Sequence, residues 1–140
     1  MNILVDTAVW SLALRRKAKT GGEESAAREL GELVKEGRVV MIGPVRQELL
    51  SGLSNRKKYE NLQEKLRAFD DLTLSREHFE MAAELSNDCR RHGIQGSSVD
   101  FLICAVSRQI GVPIFTLDAD FERFKPYTRI KLHAIREKQS

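Results

Sequence analysis

The sequence predicts an α/β fold in which a mainly parallel sheet is covered by helices on both faces. Two observations predict it: short, continuously apolar segments typical of buried strands, and helical patterns that separate them. The chain has 140 residues, of which 41% are hydrophobic and 31% charged, as expected for a globular domain with its own core. We found no repeat and no linker, and therefore expect a single domain over residues 1–140.

Five segments have the composition of strands. The first is apolar and β-branched without alternation, which predicts burial on both faces. The fifth segment, residues 130–132, has the weakest pattern. In the fourth segment, residues 112–117, Pro113 is tolerated because it lies at the start of the strand. The predicted strands are residues 2–6, 38–42, 71–74, 112–117 and 130–132.

The segments between these strands have helical patterns. We predict a loop at Gly21 and Gly22, a helix end at Gly37 and a first-turn proline at Pro44. The first predicted helix begins at Thr7. The others cover residues 23–36, 45–53 and 55–69, a segment from Ser75 to about residue 92, and a segment from Ser97 or Ser98 to residue 110.

No stretch approaches the roughly 20 apolar residues of a membrane span, so we expect no membrane association. Asp6 interrupts the first apolar run and no basic region precedes it, so we expect no signal peptide. With Cys89 and Cys104 taken as reduced thiols, these features predict a cytoplasmic protein.

Four acids from distant parts of the chain fall where parallel α/β sheets form their functional sites. Asp6 and Asp118 each follow a strand, Glu48 lies early in a helix that follows a strand, and Asp100 lies in the first turn of an apolar helix. Taken one at a time, Asp6, Asp100 and Asp118 could equally cap helices or turns, and Glu48 could be an exposed charge. Their expected co-location is what favours a common site.

Clustered carboxylates repel one another and raise each other's pKa values, so such a cluster is typical of a cation site. Oxygen ligands without histidine or cysteine favour Mg²⁺ or Mn²⁺ over zinc. The net charge of +3, with several basic clusters, favours a polyanionic partner. A hard ion in such a protein suits phosphodiester hydrolysis.

Four motifs in this order and spacing resemble those of PIN-domain ribonucleases, above all the VapC toxins of type II toxin–antitoxin systems. The motifs are ILVDTAVW, PVRQELLSG, GSSVDFLICAVS and TLDADFERF. The resemblance implies a three-layer α/β/α sandwich and an Mg²⁺- or Mn²⁺-dependent endoribonuclease. It further implies a VapB-like antitoxin partner and a homodimer, for which apolar surface on the helices of residues 23–70 would supply the interface.

Carried over position by position, the resemblance implies that Asp6, Glu48, Asp100 and Asp118 are the catalytic acids. Asp6, Asp100 and Asp118 would bind the metal directly, and Asp120 would act through water. The residue after Thr7 is alanine, where a polar residue is expected, so one supporting hydrogen bond could be absent.

Three hydroxyl residues lie beside the acids and could orient a carboxylate or a water: Thr7, Ser98 and Thr116. For Ser98 the preferred interpretation is a helix cap. RNA contacts are expected from four basic residues, Arg15, Arg16, Lys17 and Arg56.

Three other classes of protein share parts of this pattern. A haloacid dehalogenase-like phosphatase needs a second acid at position 8, which is alanine here. A receiver domain needs a paired acid motif before or within its first βα turn and a lysine at the end of its last strand, and neither is apparent in this sequence. A PIN-like RNA-binding or scaffold module remains the alternative, although none of the four acids is lost.

Overall fold

The computed structural model describes residues 1–14 and 20–137. Three strands lie in these residues: β1 (Ile3–Val5), β2 (Val39–Val40) and β3 (Ile114–Phe115). They form a parallel sheet in the order β2-β1-β3, in which Leu4 of the central strand lies opposite both Val40 and Ile114. All three residues of β1 are buried, as its continuous apolar sequence predicts.

Two isolated parallel bridges extend this sheet at its edges. Met41 pairs with Asp71 on one side, and Ile114 pairs with Leu132 on the other. The strands predicted at 71–74 and 130–132 are therefore found in the right places but as single bridges. Thr73 and Lys131 are exposed, so these segments lack the run of buried side chains that a longer strand needs.

Helices cover both faces of the sheet, which confirms the three-layer α/β/α sandwich. In the described residues they are α1 (Thr7–Leu14), α2 (Gly21–Lys35), α3 (Gly43–Leu50), α4 (Arg56–Leu66), α5 (Arg76–Arg91), α6 (Ser98–Ile110) and α7 (Asp120–Thr128). Every residue of α6 from Phe101 to Ser107 is buried, so this helix is the central element of one helical layer. No helix in residues 1–14 and 20–137 is both long and apolar enough to cross a membrane.

The prediction of a loop at Gly21 and Gly22 is wrong, because both residues belong to the first turn of α2. Thr20 caps this helix. Its hydroxyl accepts from the Glu23 backbone N–H at 3.2 Å, and the Glu23 carboxylate accepts from the Thr20 N–H at 2.9 Å. This reciprocal capping box starts the helix at Gly21, two residues before the predicted start at residue 23.

Helix α7 is not among the predicted helices. Its sequence contains Pro126, which has no backbone N–H and normally ends a helix. Phe121 and Phe124 are nonetheless fully buried against the core, and Pro126 comes in the last turn of the helix. Tertiary packing therefore outweighs the local signal here.

The segment after α7 is bound to α2 through a buried carboxylate, Glu29, which is only 2% exposed. Nε2 of His133 lies 2.7 Å from Oε2 of Glu29, and Nε of Arg136 donates to Oε1 at 2.9 Å. The Arg136 backbone N–H donates to the same carboxylate at 3.2 Å. Burial alone raises the pKa of Glu29, but these hydrogen bonds outweigh it, and the pKa lies below its ordinary value.

Candidate active site

The predicted acids lie at the carboxyl edge of the parallel sheet. Asp6 directly follows β1, and Asp118 comes three residues after β3. Glu48 lies in the second turn of α3, which follows β2, and Asp100 is the third residue of α6. This placement follows from the topology, because the carboxyl ends of parallel strands meet at one edge of a sheet.

Asp6 is the most buried of the four acids, with 6% of its surface exposed. Its Oδ1 accepts from the Thr7 backbone N–H at 2.8 Å, and its Oδ2 accepts from the Thr116 hydroxyl at 2.8 Å. Burial raises the pKa of Asp6 to about 6. The two hydrogen bonds lower this pKa in part, whereas the nearby charges of Asp100 and Asp118 raise it further. The carboxyl group is therefore oriented by hydrogen bonds but costly to ionise.

Glu48 is linked to Asp6 through Thr7. The Thr7 hydroxyl donates to Oε1 of Glu48 at 2.6 Å, while its backbone N–H binds Asp6. A single residue at the start of α1 thus orients two of the acids. The alanine at position 8 does not deprive Asp6 of support, since Thr7 and Thr116 each supply a hydrogen bond.

Asp100 is oriented by Ser97 rather than by Ser98. The Ser97 backbone N–H donates to Oδ2 of Asp100 at 3.0 Å, and the Asp100 N–H donates to the Ser97 hydroxyl at 3.0 Å. The preferred assignment of Ser98 as the helix cap is wrong, because Ser98 is already the first helical residue and is exposed. The spacing Ser-x-x-Asp is a capping-box signal that identifies Ser97.

Burial also raises the pKa of Asp100, although the hydrogen bonds from Ser97 oppose this effect. The charges of Asp118 and Glu48 raise this pKa further. Asp100 therefore interacts electrostatically with Glu48 and Asp118, as Asp6 does with Asp100 and Asp118. The four predicted acids share one electrostatic environment, although they come from distant parts of the sequence.

Thr116 joins Asp118 to the same network. Its hydroxyl donates to Asp6 and accepts from the Asp118 backbone N–H at 3.0 Å. Oδ1 of Asp118 in turn accepts from the Asp120 N–H at 2.9 Å, just before α7. The Asp120 side chain lies 3.5 Å from the Arg123 guanidinium, so its charge is partly compensated. This difference favours Asp118 over Asp120 as a direct ligand.

Asp6, Glu48, Asp100 and Asp118 have no lysine, arginine or histidine ion-pair partner within the described ranges. All their donor atoms are oxygens, which fits the preference of Mg²⁺ and Mn²⁺. Across those same residues, no three acidic, histidine or cysteine side chains are close enough to coordinate an ion as they stand. Ion binding would therefore draw the carboxylates closer together.

A cavity of about 420 Å³ lies beside Glu48. Its walls include Thr7 and Val99, the neighbour of Asp100, so it opens onto the acidic site. Gln47 and Ser51 also line it, one residue before and three residues after Glu48. Sequence reasoning did not identify these two polar residues, whose only signal is their nearness to Glu48 on α3.

Of the four basic residues predicted to contact RNA, Arg56 alone falls within the described residues. Arg15, Arg16 and Lys17 lie outside the described residues. The Arg56 guanidinium donates to Glu60 at 2.9 Å and lies 5.7 Å from the centre of the Tyr59 ring. Arg56 is thus engaged on the surface of α4.

The fold and the acidic site define a class of protein in which carboxylates meet at the carboxyl edge of a parallel sheet. A model of the PIN domain family matches residues 3–125, and the chain belongs to this family. No curated protein sequence matches the chain significantly.

Several solved structures share the fold. FitAcB from Neisseria gonorrhoeae is 23% identical, with a TM-score of 0.74 over 94% of this chain and 96% of that one. VapBC2 from Rickettsia felis, bound to a promoter DNA fragment, is 18% identical, with a TM-score of 0.74 over 95% and 98%. VapBC-1 from nontypeable Haemophilus influenzae is 12% identical, with a TM-score of 0.70 over 95% and 97%.

Proposed function

We propose that this chain is an Mg²⁺- or Mn²⁺-dependent endoribonuclease and the toxin of a VapBC-type toxin–antitoxin system. One observation carries the nuclease proposal: the buried Asp6, whose pKa is raised to about 6, shares its surroundings with three further carboxylates, and none of the four has a cationic partner in the described residues. PIN domains are generally nucleases. The similar structures, VapBC2, VapBC-1 and FitAcB, support the assignment to a toxin.

In this proposal Asp6, Asp100 and Asp118 bind the ion, and Glu48 lies beside it at the mouth of the cavity. A bound divalent ion would supply activation of water and neutralise charge on the phosphoryl oxygens. Thr116 and Ser97 fix the directions of Asp6 and Asp100, while Thr7 fixes Asp6 and Glu48. Their role is to orient each carboxylate before the ion arrives, so that only a small approach of the acids is needed when it binds.

The test compares cleavage of single-stranded RNA by the purified protein and its Asp6→Asn and Asp100→Asn variants, with and without Mg²⁺ or Mn²⁺. We expect each variant to lose cleavage by about 1,000-fold or more, as expected when a catalytic metal ligand is removed. Asp70→Asn is the matched control, since Asp70 is exposed and distant in sequence from the four acids. Full activity in either site variant would refute the assignment.

The alternative is a PIN-like RNA-binding or scaffold module. It predicts that the unmodified protein binds RNA without metal-dependent cleavage, and that Asp6→Asn leaves this binding unchanged. Retention of all four acids in one electrostatic environment favours the nuclease, because a binding module has no need of uncompensated charges at this edge.

A groove on the surface of the protein is the binding site that we propose for the antitoxin partner. A groove of about 750 Å³ between α1, α3 and α4 has an apolar floor that includes Leu49, Leu53 and Leu62. Three lysines line it, none with an acidic partner among the residues described: Lys57, Lys58 and Lys65. These features suit an amphipathic helix that carries carboxylates.

Ser11 also lines this groove, so on α1 the groove begins one helical turn after Thr7 of the acidic site. We expect expression of the chain alone to slow growth of the host, and the product of a neighbouring small reading frame to relieve it. Purified, that product should inhibit cleavage, and Lys57→Glu with Lys65→Glu should weaken the inhibition more than Lys35→Glu does. If the double variant is inhibited as strongly as the unmodified protein, the partner does not bind in this groove.

The homodimer and the cytoplasmic location remain parts of the proposal. In the described chain the exposed large apolar side chains are Met1, Leu14, Phe79, Ile110 and Leu117, so they lie outside residues 23–70. Within residues 23–70, Leu49, Leu53 and Leu62 contribute apolar surface to the groove. A monomer at micromolar concentration by light scattering would refute the dimer.

A further inference from the structure

A second, polar cavity lies between the end of α5 and the start of α6. Its volume is about 330 Å³, and we call it the Arg90 cavity after its charged residue. The residues that line it are Ser86, Arg90, Ile94, Gln95, Gly96 and Phe101. It shares no residue with the cavity beside Glu48.

The Arg90 cavity adjoins the acidic site through the first turn of α6. Gly96 directly precedes Ser97, whose backbone N–H binds the Asp100 carboxylate, and Phe101 directly follows Asp100. Two of the residues that line this cavity are therefore chain neighbours of the residues that carry and orient the Asp100 carboxylate.

Arg90 has no carboxylate partner in the part of the chain that the structure describes. Its neighbour Arg91 forms an ion pair with Asp88 on the same helix. An arginine presents five N–H donors in a planar arrangement that matches a phosphate group. The Ser86 hydroxyl and the Gln95 amide add neutral hydrogen-bonding groups to the same walls.

The loop that forms one wall is fixed on α7 at both ends. The His92 ring stacks on Tyr127 with ring centroids 4.1 Å apart. A Cβ atom at Gly96 would lie 2.6 Å from the Phe124 ring and 3.1 Å from Phe101, so only glycine permits this close approach. The cavity is thus shaped before any ligand binds, which reduces the entropic cost of binding.

We propose that the Arg90 cavity binds a nucleotide of the RNA strand next to the scissile bond. Arg90 contacts its phosphate, and Ser86 and Gln95 hydrogen-bond to its sugar or base edge. The proposal rests on the nuclease function proposed above and assigns a substrate-binding subsite to residues outside the four acids. The carboxylates and Arg90 then act on neighbouring parts of one strand.

The test compares Arg90→Gln with Arg91→Gln, which removes the neighbouring and already paired charge. Cleavage of a single-stranded RNA oligonucleotide is measured over a range of salt concentrations. We expect Arg90→Gln to lower kcat/KM about tenfold through KM, and to reduce the salt dependence by about one phosphate contact. Arg91→Gln should change neither value by more than about twofold.

Binding of the same oligonucleotide without metal, in the Asp6→Asn background, gives an independent readout. Arg90→Gln should weaken this binding about tenfold, and Arg90→Lys should restore part of it, since lysine keeps the charge but not the planar geometry. Ser86→Ala and Gln95→Ala should cause smaller losses that do not alter the salt dependence. Circular dichroism and thermal melts establish that each variant is folded.

Equal kcat/KM, KM and salt dependence for Arg90→Gln and Arg91→Gln would overturn the subsite, even with cleavage intact and abolished by Asp6→Asn. Loss of antitoxin binding in Arg90→Gln with unchanged RNA binding would also overturn it and assign the cavity to a protein partner. Absence of cleavage in the unmodified protein would instead refute the nuclease function, which separates the two failures.

Discussion

Asp6 and Glu29 are both almost completely buried, but their pKa values are shifted in opposite directions. Asp6 is 6% exposed, has no cationic partner in the described residues and has its pKa raised to about 6. Glu29 is 2% exposed, contacts His133 and Arg136, and has its pKa lowered. Burial penalises the charge of both groups, so the partners make the difference.

This comparison separates a carboxylate with a structural role from the one that we propose as a metal ligand. At Glu29 the protein supplies the positive charge itself, and the result is a fixed contact between α2 and the C-terminal segment. At Asp6 the protein supplies hydrogen bonds that orient the group but leaves its charge uncompensated. A charge left uncompensated in a buried position is expected to be compensated by a ligand, and here the donor atoms favour a hard cation.

The largest effect on stability is expected at Glu29. Glu29→Gln removes the charge that Arg136 binds, and should lower the free energy of unfolding by about 2–3 kcal/mol. RNA cleavage per folded molecule should be unchanged. Urea denaturation measures the free energy of unfolding, and an activity assay at low temperature measures the cleavage. Glu32→Gln, on an exposed part of the same helix, is the control, and equal stability of the two variants would contradict the prediction.

Asp6→Asn should stabilise the folded protein, whereas Glu29→Gln should destabilise it. In the absence of metal, ionised Asp6 destabilises the folded protein at pH 7, because its folded pKa of about 6 exceeds the ordinary 3.8. Replacing it by asparagine should raise the free energy of unfolding by about 2 kcal/mol. Mg²⁺ should stabilise the unmodified protein and not the variant. A metal-free Asp6→Asn variant less stable than the unmodified protein would argue that the buried charge is compensated.

The opposite pKa shifts of Asp6 and Glu29 predict that their contributions to folding stability depend on pH in opposite ways. The stability contributed by Asp6 is fully present below its unfolded pKa of 3.8 and is lost as the pH rises through about 6. The stability contributed by Glu29 is present above its ordinary pKa of 4.5 and is lost as the pH falls through its lowered folded value.

For the same reason a proton competes with the metal at Asp6. The apparent affinity for Mg²⁺ should fall by about tenfold per pH unit below pH 6, which calorimetric titration measures. An affinity independent of pH between 5 and 7 would remove Asp6 from the ion site.

The smallest effect is expected at Thr116. Thr116→Val removes the hydroxyl that lowers the pKa of Asp6 and accepts from the Asp118 N–H. Cleavage at pH 7 should fall by about tenfold, with the midpoint of its pH dependence moved upward. The exposed Thr73→Val variant is the control. An unchanged midpoint would show that Thr116 does not act through Asp6.

Much of the fold could be predicted because its signals are local. The apolar run before Asp6 predicts a buried strand, and the parallel topology then requires strand ends to meet at one edge, which brings Asp6 and Asp118 near each other. The weak edge segments at 71–74 and 130–132 were predicted in place but too long. Edge pairing depends on a single neighbour and on partial burial, which local composition does not measure.

The sequence by itself determined the identity and order of the four acids, the parallel sheet that brings them together and the oxygen chemistry of the site. Only the tertiary structure decided how each acid is supported and compensated. Thr116 binds Asp6 across 110 residues, and His133 reaches Glu29 across 104. Periodicity and capping signals extend over a few residues. The pKa of a buried carboxylate depends on partners that only the folded chain brings within hydrogen-bond distance.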